Sequence, residues 1–309
     1  MDDKQRELRR GLCTGTKVAA IMGISKFRTP YDVYVRCKGL LPEEPPSDAM
    51  LRGIALERGI LDLYEMQKGI KLAREMGTLV HPHEDWMGAS PDGYYIDEDG
   101  CIVIVDAKTS RMKDGWGVPG TDEVPEDYAC QMQWYGVVLE AYFDVPVVGL
   151  DITTYFPWHD EISTYTLRPD PEVQQYLVGR CREWWWKHIV SSVAPAIDHS
   201  ASARRMVDQV ALDRTELLKA DEEDITAIKQ LLEVKEQIKA LDKQRKSIEN
   251  YLKSQIGGAS GVVGGGHRAL WKEQKGRPSW DTKQLEVDHP ELAEQYKKNG
   301  KPYRVLRVK

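Results

Sequence analysis

The residues best suited to chemistry in this chain lie in two short stretches, Gly88-Ala89-Ser90-Pro91-Asp92-Gly93 and Cys101-Ile102-Val103-Ile104-Val105-Asp106-Ala107-Lys108-Thr109-Ser110. The first is a turn with one acidic residue, Asp92. The second is an apolar run that ends in Asp106-Ala107-Lys108. Carboxylates are hard oxygen ligands and suit Mg2+ or Mn2+. Asp92 after a turn and Asp106 at a strand end can converge on one sheet edge, with the Ala107 carbonyl as a third oxygen. Lys108 is two residues past Asp106 and so projects from the same face of a strand. There its amine can orient or deprotonate a water, or stabilise charge on a transition state. A divalent cation at such a site lowers the pKa of its bound water, which is metal-assisted hydrolysis.

Other candidates surround this pair. Glu57 is adjacent to an apolar helical stripe, and reads either as a surface carboxylate or as a metal ligand at a buried edge. Thr14-Gly15-Thr16 precedes the Ala-rich run Lys17 to Met22, a helix start. With Arg9 close by, it reads as plain capping or as a phosphate pocket at a helix N-terminus. Gln131 and Tyr135 share a helix face at i, i+4. His81-Pro82-His83-Glu84-Asp85 has ligand-type residues but falls in a loop without helical spacing, so a metal role there is the weaker reading. Cys13, Cys37, Cys101, Cys130 and Cys181 are scattered, odd in number and lack a C-x-x-C pair. They read as free thiols rather than a disulfide framework or zinc ribbon.

The elements that must position these residues are legible in part. Thr29-Pro30-Tyr31-Asp32 opens a short helix closing near Lys38-Gly39. Leu41 to Ser47 is a loop, and a helix runs from about Asp48 to Lys68 with Leu56, Ile60, Leu63 and Tyr64 on one face. Strands are expected at 71–74, 77–80, 94–96 and 101–105, with a hairpin turn at Asp97-Glu98-Asp99-Gly100. The unbroken apolar run 102–105 suits a strand covered on both faces. Residues 109–124 read as a mobile loop, and Pro125 to Ala141 as a helix. Strands follow at 145–156 and 161–167, then a helix from Pro169 to Val190. That helix carries Trp184-Trp185-Trp186, which point in different directions and so leave at least one exposed. Ser200 to Arg205 is a linker. A long charged helix or helical hairpin spans Thr215 to Ile256, with an apolar seam too irregular for a long coiled coil. Gly257 to Gly266 is flexible. His267–Glu273, Ser279–Leu285 and Pro302–Val308 suggest a small β/α cap.

Hydrophobic content of 41% and charged content of 30% are those of an ordinary globular protein. No apolar run reaches the roughly 20 residues of a membrane span, and the first ten residues lack the apolar core of a secretory signal. A cytoplasmic location with no membrane partner is expected. The net charge of −6 argues against nucleic acid. From Gly261 onward, however, 11 Lys and Arg stand against 6 Asp and Glu. In a metal site the cation, not the protein, meets a phosphate.

Pro91-Asp92 followed by Asp106-Ala107-Lys108 resembles the PD-(D/E)xK nuclease signature. Residues 8–200 as a whole resemble the YqaJ-type viral recombinase nucleases, relatives of lambda exonuclease. The resemblance includes Arg9 to Gly23, Leu56-Glu57, the Gly88–Gly93 turn, the Asp-x-Lys strand and Gln131-Met132-Gln133-Trp134-Tyr135. It implies an α/β restriction-endonuclease-like core, a central mixed sheet flanked by helices, over residues 1–205. A helical extension with a basic β/α cap occupies 206–309. It also implies a 5′→3′ double-stranded DNA exonuclease of phage-type recombination that uses Mg2+, with Mn2+ able to substitute, as two ions per site. Asp92, Asp106, Ala107 and Glu57 would hold metal, with Lys108 and Gln131 completing the catalytic set. Arg9, Thr14, Thr16, Ser90 and Tyr135 would grip DNA and its 5′-phosphate. Relatives form trimeric rings and act beside a strand-annealing recombinase, in a bacterial host cell. Aspartate stands where the signature usually has glutamate, so Asp106 reaches one methylene less far. The scattered cysteines do not supply the four clustered ligands of iron–sulfur relatives, and no such cluster is expected. A structure- or site-specific endonuclease on the same core, and a DNA-binding module without catalysis, are the competing readings.

Overall fold

The computed structural model describes residues 3–41, 45–74, 76–210, 217–276, 278–298 and 305–308. The chain divides into two units, Met1–Leu212 and Asp213–Lys309.

The first unit opens with helix α1 (Asp3–Arg10), a two-residue strand β1 (Cys13–Thr14), and helices α2 (Gly15–Ile21) and α3 (Pro30–Cys37). Helix α3 starts where Pro30 and a capping box predict. The Thr29 hydroxyl accepts from the Asp32 N–H, and Asp32 reciprocates at the Thr29 N–H. Helix α4 (Asp48–Lys68) is capped by the Ser47 hydroxyl and closed by Gly69. Of the loop expected between these helices, residues 42–44 lie outside the described residues. The buried stripe of α4 is Ile60, Leu61, Tyr64 and Glu65. Leu63, expected on that stripe, is exposed, because the sheet meets a face turned by one residue toward Leu61.

Strands β2 (Ala73–Arg74), β3 (Leu79–His81), β4 (Glu84–Ala89), β5 (Gly93–Ile96) and β6 (Ile102–Thr109) follow. Helix α5 (Glu126–Phe143) then leads to β7 (Val147–Phe156) and β8 (Glu161–Leu167). The main sheet has the order β2-β5-β6-β7-β8; β6 and β7 are parallel and the other pairs antiparallel. A second sheet, β1-β4-β3, carries the strand just before the Asp92 turn. The chain therefore crosses from one sheet to the other between Ala89 and Gly93. Strand β1 pairs in parallel with Met87 and Gly88 of β4; two residues give too short an alternation to be read from sequence. The β5–β6 hairpin turns where expected. The Asp97 carboxylate accepts from the Asp99 and Cys101 N–H groups, and Gly100 adopts a φ of 78°.

Strand β6 is covered on both faces. Ile102 and Ile104 pack with Met132, Trp134 and Val138 of α5, whereas Val105 packs with Leu61 and Tyr64 of α4. By strand alternation Asp106 and Lys108 share the α5 side with Ile102 and Ile104. Beneath α4 the Tyr64 hydroxyl donates to the buried Asp151 carboxylate of β7 at 2.6 Å.

Residues 109–124 are not a free loop. The Gly120 N–H donates to the Thr164 carbonyl at 2.8 Å, and the Thr166 N–H to the Thr121 carbonyl at 3.1 Å. Trp116 is wedged among Tyr128, Phe156 and Tyr165. The Gly and charged residues that suggested mobility are thus offset by one aromatic anchor.

Helix α6 (Pro171–Trp184) continues into a π-helical turn (Trp185–Val190). Trp185 is buried against Trp86, while Trp186 is 45% exposed. Helix α7 (Ala201–Val210) replaces the expected linker, with Ala203 and Met206 buried.

The second unit contains one uninterrupted helix, α8 (Glu222–Ile256), and a hairpin of β9 (Gly261–Gly264) and β10 (His267–Leu270). Short helices α9 (Thr282–Asp288) and α10 (Pro290–Tyr296) follow. Part of the expected flexible Gly stretch is therefore strand. Residues 215 and 302–304 lie outside the described residues. Among the described residues no helix is long and apolar enough to cross a membrane.

Glu65 ties α4 to the sheet edge. Its carboxylate accepts from the Leu72 N–H at 2.8 Å and Lys71 Nζ at 2.9 Å, and forms an ion pair with the Arg74 guanidinium at 3.1 Å. The Leu72 N–H first, then Lys71 and Arg74, hold its pKa down at about 2. A depressed carboxylate stabilises the fold above its ordinary pKa of about 4.3 and ceases to do so as pH falls through the folded value. Glu65→Gln is expected to lower Tm at pH 7, with the gap to wild type closing between about pH 4.5 and pH 2. A gap that stays constant across that range in thermal scans refutes the assignment.

Candidate active site

The β5–β6 register assembles the site. Gly93 lies opposite Val105, so the next residue outward on each strand, Asp92 and Asp106, meet at the end of the ladder. The Ala107 N–H donates to Asp92 Oδ2 at 2.8 Å. Lys108 Nζ donates to Asp106 Oδ2. Each carboxylate thus spends one oxygen on the protein.

Asp106 is 1% exposed. Burial and the nearby Asp106 charge push Asp92 up to about 8, against the opposing pull of Lys108. Burial alone lowers Lys108, but Asp106 and Asp92 outweigh it and hold the ammonium above its ordinary value. Lys108 Nζ also lies 5.1 Å from the centre of the Tyr128 ring, an attractive cation–π contact. Tyr128 sits in the first turn of α5 and is packed by Trp116 at 5.6 Å. Sequence reasoning had not singled out Tyr128. Its signal was its place three residues before Gln131, on the same helix face.

Glu57 lies on α4. Burial raises its pKa, as does Asp106, while Lys108 opposes. It therefore feels the charges of Asp106 and Lys108. Among the described residues no group of three or more His, Cys, Asp or Glu side chains is gathered to hold a metal. The donor set nevertheless fits a hard divalent cation. Two acidic groups face each other at a cost that shows in the raised pKa of Asp92, and a cation between them removes that cost.

The His81–Asp85 cluster is spent on local structure. His81 Nδ1 accepts from the His83 and Glu84 N–H groups. The Glu84 carboxylate accepts from Trp86 Nε1 and from Arg182. Ser90 likewise shares a hydrogen bond with the Thr78 hydroxyl at 2.9 Å.

The N-terminal residues line a groove of about 780 Å3 with Arg6, Arg9, Lys17 and Arg28 on its wall and Tyr128 and Gln131 at its inner end. Thr14 and Thr16 line it too, their hydroxyls 3.3 Å apart. Thr14 sits at the cap position of α2, but its side chain makes no cap bond, so plain capping does not account for it. Lys17 closes the end of α1, donating to the Arg9 and Leu12 carbonyls at 2.6 Å each. Burial lowers its pKa.

Gln131 and Tyr135 are both buried, and Gln131 Nε2 donates to the Tyr135 hydroxyl at 2.9 Å. Burial, then the Asp106 charge, raise the Tyr135 phenol well above its ordinary value. The two residues back the groove and the carboxylates at once. Gly15 permits this. A Cβ there would stand 2.7 Å from Tyr135 Cε1 and 2.9 Å from Gln131 Cγ. Gly15→Ala is expected to destabilise the protein by about 1–3 kcal/mol through overpacking. Gly59→Ala on α4, where a Cβ meets nothing within 4 Å, should instead raise Tm slightly. Equal thermal midpoints for Gly15→Ala and wild type would refute the close approach.

The chain shares 29% identity over 303 residues with the uncharacterized protein YqaJ of Bacillus subtilis (strain 168), covering 94% of this chain and 89% of that protein. Solved structures also resemble it, two of them exonucleases. One is an alkaline exonuclease (LHK-Exo) from Laribacter hongkongensis, at 20% identity and a TM-score of 0.46, covering 62% of this chain and 96% of that one. The other is a phage related exonuclease from Haemophilus somnus 129PT, at 15% identity and a TM-score of 0.43, covering 59% and 96%. Residues 5–141, which contain Arg9, Glu57, Asp92, Asp106, Lys108, Gln131 and Tyr135, match the family of the YqaJ-like viral recombinase domain. That match, over somewhat less than half of the chain, is to the family that the motifs of this sequence resemble.

Proposed function

We propose that this protein is a Mg2+-dependent 5′→3′ exonuclease on double-stranded DNA, acting in phage-type recombination. The observation that carries the reading is the Asp92–Asp106–Lys108 cluster beside a groove walled by Arg6, Arg9, Lys17 and Arg28. A phosphodiester held there has cations along its backbone and acidic metal ligands at its reacting phosphorus.

Asp92 and Asp106, with the Ala107 carbonyl, would hold the metal, as Mg2+ or Mn2+ and as two ions per site. When bound, the cation neutralises phosphate oxygens and lowers the pKa of a water. Asp106 fixes the Lys108 ammonium from one side and the Tyr128 ring supports it from another. So held, Lys108 orients the attacking water and stabilises charge on the transition state. Glu57 assists from α4, and Gln131 braces the site from α5. Arg9, Thr14 and Thr16 grip the 5′-phosphate, with Tyr135 behind them and Ser90 at the strand crossing. A trimeric ring around DNA and a strand-annealing recombinase as partner belong to the same reading.

With Mg2+ and end-labelled duplex, wild type should digest linear DNA from 5′ ends and leave closed circles intact. Lys108→Ala should lose about 10²–10³-fold or more in rate while keeping DNA affinity. Efficient nicking of closed circles would support an endonuclease instead, and no nucleotide release with either metal would leave only a binding module.

Arg9→Ala should narrow the rate ratio between 5′-phosphorylated and 5′-hydroxyl ends, with little change on hydroxyl ends. Removing one charged hydrogen bond corresponds to about 1.5–3 kcal/mol, roughly 10- to 150-fold. A ratio near one in wild type would refute the phosphate grip.

A further inference from the structure

The second unit holds none of the residues used above, yet it presents a surface of definite pattern. Helix α8 is unbroken for 35 residues. That continuity selects one register from a seam that looks irregular in the sequence. Leu231, Val234, Ile238, Leu241, Arg245, Ile248 and Leu252 follow one another at alternating steps of three and four, the spacing of a coiled-coil seam. The irregularity comes from Ile225, Ile228 and Leu232, whose stripe leads onward to Lys235 and Lys239 and ends there.

This seam is bare. Val234 is 47% exposed, Ile238 60%, Leu241 62% and Ile248 58%. At the C-terminal end of α8, Ile256 is buried and Lys253 lies over Trp271. A helix of this length with an apolar stripe gains its stability chiefly by burying that stripe.

The geometry points to a second copy of this chain as the occupant: we propose that the Leu231–Leu252 face of α8 pairs with the same face of another protomer as a short coiled coil. Three observations favour a copy over a different partner. The three–four spacing is self-complementary, because each side chain in one helix enters a hole made by the same pattern in the other. The flanks do not repel a copy. One edge is Gln230, Gln237 and Gln244, all neutral; the other is Lys235, Asp242 and Glu249, of mixed sign. Finally, six apolar side chains per helix, each hiding roughly 60–120 Å2, bury on the order of 1,000 Å2 across the pair. That is near the lower end of stable interfaces at about 1,200 Å2, so association in the micromolar range is expected.

Arg245 is the polar position in the seam. Its guanidinium is already bound on its own helix, to Asp242 at 2.5 Å and Glu249 at 2.9 Å. Those pairs draw the charge to the flank and let its stem line the seam. A single polar seam residue lowers stability while fixing register, which gives a variant of opposite sign to any disruption.

Sedimentation equilibrium of the full chain over about 1–100 μM tests the proposal. Wild type should self-associate. The double variant Ile238→Asp/Leu241→Asp should weaken association at least tenfold or lower the limiting mass, with helix content retained by circular dichroism. Arg245→Leu should tighten association, and Lys243→Glu, on the opposite face, should leave it unchanged. A monomeric wild type at 100 μM overturns the proposal. So does a double variant that sediments as wild type, or an Arg245→Leu variant that associates no more tightly.

Discussion

Asp92 and Asp106 are brought side by side at the edge of a buried strand, where water screens their repulsion poorly. What makes the arrangement tolerable is local. The Ala107 N–H binds one carboxylate and the Lys108 ammonium binds the other. Even so Asp92 is pushed up to about 8. Asp92 therefore holds its proton more tightly than a free carboxyl, the cost of placing a second negative charge beside Asp106 in a buried setting. Strain of this sort persists only where the surrounding fold over-determines it.

That over-determination comes from two sheets and two helices. The chain leaves the smaller sheet at Ala89 and joins the larger one at Gly93, so Asp92 is fixed from both sides. Strand alternation then assigns Asp106 and Lys108 to the α5 side and leaves Val105 to α4. Helix α4 is anchored by Tyr64 on Asp151 and by Glu65 at the β2 edge. It carries Glu57 within electrostatic reach of Asp106.

The cationic groove and the carboxylates share a wall. Tyr128 touches Lys108 on one side and lines the groove on the other; Gln131 also lines the groove and is hydrogen-bonded to Tyr135 behind it. Gly15 brings α2 against this wall, and Lys17 locks the end of α1 beside it. In the proposed reading, grip on a phosphate and chemistry at a metal would be coupled through one helix, α5, rather than through a loop. The segment 109–124 completes the wall by clamping Trp116 onto Tyr128.

The sequence by itself determined the motifs and the elements that bear them. Pro91-Asp92, the apolar run to Asp106-x-Lys108 and the Gln131–Tyr135 face each depend on neighbours within a few residues. So do the caps at Thr29 and Ser47 and the turn at Gly100, where local sterics and hydrogen bonds decide. Only tertiary structure decided what depends on distant partners. The pairing of β1 with β4, Leu61 in place of Leu63 on α4, and the pinning of 109–124 onto β8 all follow from contacts between residues far apart in the chain. The same holds for Tyr128 under Lys108 and for the Ser90 hydroxyl paired with Thr78. Periodicity and propensity report which face of an element is apolar; which partner meets it is set by packing, and packing is a property of the whole fold.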